Sequence, residues 1–421
     1  MIPLIAGNIL QQLYNTIDAF VIGKYAGENE FAAIGVASSV INLFLFAIIG
    51  SCIGLSVIFA QFYGAKNMES FRREHFLSLV SGLFLTACCA AAGIFFAENI
   101  LTLIHTPLQV EQYATRYLTI ILAALPATFV YNLYGSILRS VGKPTVSLTI
   151  LAISVVINIT LDLLLVGRFS MGIRGAAMAT AAVQILSAVL CMLYIKYFMP
   201  KLVFKKNDCV FNVGLMKKTF HYCLVTILQQ TGLYIGKLLV QSSVNTCGVY
   251  MISAYTATTR IEGFINTFGD SGASVTSVLT AQNKAAYDNK RVRQTFLSSL
   301  AILSILGAIS SLLMFLSAET TAALIMGHSD GSAFDSAFRY IQIISLFYIL
   351  NYTGSTFAGY FDGLGKVNIT LIGTIGQITF RVIFSWIFVQ QLGLTALAVI
   401  TGIGWILVNL YWTITCFRKK I

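Results

Sequence analysis

Charge is scarce in this chain: of 421 residues, 10% are Asp, Glu, Lys or Arg, whereas 57% are hydrophobic. A soluble globular protein carries roughly 25% charged residues, so that class is excluded. No polar block of domain size interrupts the apolar stretches of about 20 residues that recur along the whole length, which leaves an integral membrane protein without an extramembrane enzyme domain. Histidine is sparse, with four residues scattered singly. The eight cysteines, among them the neighbours Cys88 and Cys89, show no metal-ligand or redox spacing. No enzyme activity, cofactor or His/Cys metal centre is therefore expected. The first segment has no basic leader and is too long for a cleavable signal peptide. Because Pro3 and apolar residues follow Met1 at once, the chain is expected to start inside its first helix.

The formal net charge of +11 does not point to nucleic acid, because the cations follow a topological pattern. When the chain is divided into twelve helices, about nineteen of the 27 Lys and Arg fall in alternate connections on one side, among them Lys66, Arg72, Arg73, Lys143, Lys205, Lys206, Lys290, Arg291 and Lys366. The opposite side keeps Lys24, Arg168 and Arg174. The positive-inside rule then places both termini in the cytoplasm.

The expected fold is all-α and polytopic, with twelve spans that include 33–62, 75–98, 109–138, 250–282 and 395–417. Residues 1–200 form an N-lobe of six helices, 201–212 a basic cytoplasmic linker and 213–421 a C-lobe of six. The halves echo each other in order: "ILQQ" at 9 and at 227, "AQFYGAKN" at 60 and "AQNKAAYD" at 281, "VGKP" at 141 and "LGKV" at 364, "MGIRGAAMAT" at 171 and "LGLTALAVIT" at 392. Four matches at a nearly constant offset indicate duplication. An even number of helices per copy gives both the same orientation, related by a pseudo-two-fold axis along the membrane normal with a cavity between them.

Within "VINITLDLLLV", residues 156–166, Asn158 and Asp162 stand one helical turn apart on one face. At a bilayer centre an Asp costs about 2.5–3.5 kcal/mol on insertion scales, so it is shielded, paired or used. The first lobe also holds Asp18, and Thr180 on the next helix adds a hydroxyl. Two carboxylates sharing one lobe can titrate as a pair, and hard oxygens of this kind suit H⁺ or Na⁺. The competing reading is that both Asp residues only bond neighbouring helices. The second lobe mixes signs, with Lys237, Arg260, Glu262, Asp270 and Arg381 in or near its helices; structural ion pairing between helices is expected there, a second coupling or substrate site being the rival. Tyr131 and Tyr134, flanking Asn132 on a helix interrupted by Pro126, are candidates for lining a cavity for flat lipophilic cations.

At "SVVINITLDLLLVGRFSMGIRGAAMATAAVQ" the chain closely resembles the multidrug and toxic compound extrusion (MATE) family. "IPLIAGNILQQLYNTIDAFVIGKYAG", "GSILRSVGKPT" and "TATTRIEGFINTFG" resemble that family's first helix, fourth-helix exit and eighth helix. The resemblance implies twelve helices in two six-helix lobes, a central cavity opening alternately to each side, and export driven by inward flow of H⁺ or Na⁺; the protein is therefore expected to be a monomeric antiporter of the bacterial plasma membrane that exports organic, cationic amphiphiles. The resemblance further implies that Asp18, Asn158, Asp162 and Thr180 form an N-lobe cation site, and that Pro3 matches a first-helix proline at which bending has been proposed. Where some members carry C-lobe carboxylates, this chain has Gln229, Gln230, Lys237 and Asn351, which argues against a Na⁺ site of that kind. The alternative within the same superfamily is a flippase for lipid-linked saccharides. It would need a cationic cavity to grip pyrophosphate, with Lys237, Arg260 and Arg381 as its cations.

Overall fold

A computed structural model describes residues 1–25, 27–327 and 330–418, without the side chains at 15, 16, 18–20, 24 and 28. Among the described residues there are helices and turns and no strands. Before the linker run α1 (Ile2–Tyr25), α2 (Glu28–Gly64), α3 (Met68–Phe95), α4 (Ala97–Leu103), α5 (Leu108–Ala123), α6 (Leu125–Ser140), α7 (Pro144–Asp162) with a π turn over Leu163–Arg168, and α8 (Gly172–Phe198). After it come α9 (Val213–Asn245), α10 (Val249–Ala285), α11 (Asn289–Leu316), α12 (Ala318–Met326), α13 (Ser332–Ser345), α14 (Tyr348–Gly363) and α15 (Val367–Arg418).

Seven of the described helices are long and apolar enough to cross a membrane, and nine spans result when each bent pair, α5–α6 and α13–α14, is taken as one. Inside α15, Gly393 adopts φ 64°, ψ −155°, a region that only glycine enters readily, and divides the element into two rods. With α1 and the polar α10, the described helices make twelve long rods, six on each side of the linker. The polytopic all-helical fold expected from the sequence is the one observed. The span expected over 75–98 is shorter at its far end, because the chain bends at Phe96 into the short α4; α12 is its counterpart.

The duplication extends to single residues. α2 and α10 are both 37 residues long and α3 and α11 both 28, each pair starting 221 residues apart. Left-handed backbone recurs at Gly27 and Gly248, at Lys66 and Tyr287, at Gly142 and Gly365, and at Gly172 and Gly393. Asn67 and Asp288 each cap the helix that follows by accepting from the third backbone N–H, at 2.9 Å in both copies. The bends are 45° at α5–α6 and 54° at α13–α14. The first has Pro126 beside it and the second has no proline, so the geometry is repeated where its local cause is not.

The described chain packs as two compact units, Ile2–Ile227 and Leu228–Ile421 with Met1. Their boundary falls inside α9, because the first half of that helix presses on α2. A Cβ at Gly50 would stand 2.7 Å from the Thr226 carbonyl oxygen, and one at Gly54 would stand 2.8 Å from the Thr226 hydroxyl. The linker also belongs to the first unit. Arg72 Nε donates to Asp208 at 2.7 Å, and the Lys205 backbone N–H donates at 2.9 Å. Burial works to raise the Asp208 carboxyl, but these hydrogen bonds and the charges of Arg72 and Arg73 outweigh it and hold it below its usual range. On α11, Ile302, Ile305, Ile309, Leu312 and Leu316 are exposed at helical spacing, an apolar stripe suited to lipid.

Candidate functional site

The site of greatest interest lies where α1, α7 and α8 meet in the first unit. Asn158 and Asp162, at 0% and 1% exposure, are the most deeply buried polar residues of α7. Both the oxygen and the nitrogen of the Asn158 amide lack a hydrogen-bond partner among the described residues. A buried polar atom without a partner costs about 1–3 kcal/mol, so this amide calls for a partner beyond the described side chains. Asp162 is the last α-helical residue before the π turn. One-turn π insertions are frequent at functional sites, because the extra residue redirects side chains and loosens backbone carbonyls.

Neighbouring elements fix this geometry. Below the site, Ser154 and Ser187 pair at 2.6 Å and join α7 to α8. Ala176, Ala177 and Ala179 are buried on α8, and such small residues let neighbouring helices approach it closely, Ala177 within a cluster from α2, α4 and α5. The start of α8 is held by Glu30 of α2, whose carboxylate accepts from the Ile173 N–H at 2.6 Å, a favourable place for negative charge. Val21, Ile22, Val166 and Ala176 form an apolar cluster beside the site. Thr180 on α8 stands 3.4 Å, hydroxyl to hydroxyl, from Tyr14 on α1. Asn158 and Asp162 are thus buried on α7, while Thr180 on α8 meets Tyr14 of α1. Asp18 follows Tyr14 by one turn in α1, and its side chain lies outside the described residues. Pro3 stands in the first turn of α1, where a missing N–H breaks no helical bond. The amide oxygen, carboxylate and hydroxyls are the hard donors that Na⁺ prefers, and the carboxylate alone suffices for H⁺.

In the second unit the charges meet through intermediaries. Tyr340 on α13 donates to Glu262 on α10 at 2.6 Å, and Arg381 on α15 feels the charge of Glu262 together with Tyr340 and Tyr255. Asp270 on α10 feels Lys237 on α9. None of these pairs is a direct salt bridge within 4.0 Å among the described residues, and Arg260 is exposed. Asn351 donates to Asn266 at 2.7 Å, and Gln229 to Thr374 at 3.3 Å. Replacing Asn351 with Ala should cost about 1 kcal/mol of stability through the lost bond and leave ion-dependent transport largely intact. Loss of that transport at normal expression, measured in vesicles, would place the coupling site in the second unit.

Of the aromatic candidates, Tyr134 is buried against the His75 ring at 5.3 Å, Tyr131 is half-buried, and Asn132 donates to Thr128 on its own helix at 2.8 Å. Tyr14, Tyr340 and Asn266 are partners that the sequence reading does not find. Only Tyr14 leaves a signal there, its spacing of one turn from Asp18.

Two repeated sets of six long helices, with a carboxylate and an amide buried in the first, define a polytopic membrane protein of transporter type. A family profile described as MatE matches residues 3–164 and 225–387, and the chain belongs to that family. It is 25% identical over 339 residues to "Probable multidrug resistance protein YoeA" of Bacillus subtilis (strain 168), covering 78% of this chain and 73% of the relative. It is 24% identical over 429 residues to "Multidrug export protein MepA" of Staphylococcus haemolyticus, covering 96% and 87%. A solved structure of a MOP superfamily transporter from Pyrococcus furiosus superposes with a TM-score of 0.92 at 20% identity, over 99% of this chain and 94% of that one. At that identity the likeness concerns the fold.

Proposed function

We propose that this protein is a secondary active antiporter of the bacterial plasma membrane that exports organic, cationic amphiphiles by alternating access, driven by entry of H⁺ or Na⁺. The observation that carries the reading is the buried Asn158–Asp162 pair at the α–π junction: a carboxylate and an amide one helical turn apart, both fully buried in an apolar run. The names of the relatives, multidrug resistance and multidrug export proteins, support the substrate class. In this mechanism the ion and the substrate favour different access states, and each shifts the equilibrium only by its differential affinity. Asp162, with Asp18, loads the ion; Asn158 and Thr180 complete its shell. The two units are the lobes that open alternately, and the N-lobe carries the coupling site.

Flux of a lipophilic cationic dye in proteoliposomes, under H⁺ and Na⁺ gradients imposed separately, tests the proposal. Export under one gradient identifies the ion, and no export under either removes the antiporter reading. Topology follows from the charge pattern: cysteines introduced at Lys205 or Lys206 should resist labelling from outside intact cells, and those at Asn245 or Gln390 should react. Outside labelling of the linker would reverse the orientation.

A further inference from the structure

Away from the Asp162 site, the first unit buries another carboxylate. Glu74 on α3 is fully buried, and its two oxygens lie 3.0 and 2.9 Å from the hydroxyl of Thr219 on α9. The same hydroxyl lies 3.0 Å from the Leu215 carbonyl oxygen. A threonine hydroxyl has a single hydrogen, and here three acceptors surround it. With Glu74 ionised, that hydrogen goes to one of them, and a buried charge is left with at most one donor from Thr219, an expensive arrangement.

No cation lies within 4.0 Å of Glu74 among the described residues, whose ion pairs are Arg72–Asp208, Arg73–Glu69 and Arg291–Asp288. Lys218, next to Thr219, donates to Gln61 at 2.8 Å and sits 5.3 and 5.8 Å over the Phe62 and Tyr222 rings. The remaining surroundings offer no substitute. His75 on α3 bonds the Leu202 carbonyl through Nδ1 and packs on Tyr134 of α6. Cys223 on α9 donates its S–H to the Ser51 carbonyl oxygen of α2 at 3.5 Å, and Arg139 of α6 faces Cys52 of α2 rather than Glu74. Arg139 itself donates to Ser136. A neutral Glu74 resolves the count: its O–H donates to Thr219, and the Thr219 O–H donates to Leu215.

We propose that Glu74 is a further proton-binding site of this protein, and that its bound proton latches the first half of α9 to α3. Release of the proton leaves Thr219 without its donor and makes Lys218, one residue away, the preferred partner, so the start of α9 must turn. That helix contributes its first half to one compact unit and its second half to the other, so the latch acts on an element common to both.

The test is independent of transport. Infrared difference spectra of purified wild type minus Glu74→Gln at neutral pH should show the carbonyl stretch of an un-ionised carboxylic acid. On a rising pH series the wild-type melting temperature should fall relative to that of Glu74→Gln, whose amide donates to Thr219 at every pH. Absence of the acid band, or a parallel fall in both proteins, overturns the proposal. Should Glu74→Gln not be recovered folded, Thr219→Val removes the acceptor of the acid hydrogen and should shift the band in frequency; an unmoved band overturns the latch.

Discussion

Asp162→Asn should bind dye and fail to export it. The carboxylate is buried, one turn from the Asn158 amide, and Asn fills the same volume without a titratable group. The site is then fixed in a neutral, protonated-like state. Substrate binding survives, because the rest of the protein is unchanged, and stability should hold or rise slightly, since a buried ionisable group has gone. Gradient-driven export should fall to background. A gradient can bias the access states only through a site whose ion occupancy differs between them, and no charge is left to load. Asp18→Asn should behave in the same way if the two share one ion. Dye binding and dye export measured in the same preparation decide the matter: export at the wild-type rate would make Asp162 a structural residue.

The cost of burying Asp162 makes its pairing with Asn158 legible in the amino-acid sequence. An Asp and an Asn one turn apart in an apolar run are visible in one dimension, because the helical period alone places them together. The π turn that follows is not, since "LLLVGR" has nothing in its composition that separates an i→i+5 turn from an ordinary one. Tyr340 is equally hidden: its link to Glu262 joins residues 78 apart, and the charges in the second unit point to direct ion pairs where the structure interposes a phenol. The duplication is legible because glycines and caps punctuate both halves at the same places. Its departures are less so, since bending at α13–α14 needs no proline.

One such departure carries the second large effect. In the first unit Ser136 on α6 donates to the Cys52 carbonyl of α2 at 2.9 Å. The corresponding place in the second unit has Gly359 on α14 against the Ala273 carbonyl of α10, with Gly363 one turn later against the Ser277 carbonyl, where a Cβ would stand at 2.5 Å. Cys52 and Ala273 are 221 residues apart, the offset of the repeat. A hydrogen bond at one junction is thus replaced by backbone contact at the other, and "GYFDG" over 359–363 has the small-xxx-small spacing that lets membrane helices approach closely. The obstacles to a side chain at Gly359 are backbone atoms of Ala273, which cannot swing aside as a rotamer can. Gly359→Ala should therefore force α14 off α10 and destabilise the second unit by about 2–3 kcal/mol, the scale of overpacking in a tight core. Ser136→Ala deletes two hydrogen bonds, one to the Cys52 carbonyl and one from Arg139, without a clash, and should cost about 1–2 kcal/mol, since the half-buried Arg139 can turn to water. Thermal melting of the two variants in detergent should show the larger loss for Gly359→Ala. Equal losses would mean that α14 yields without strain and that the glycine pair is not what sets its distance from α10.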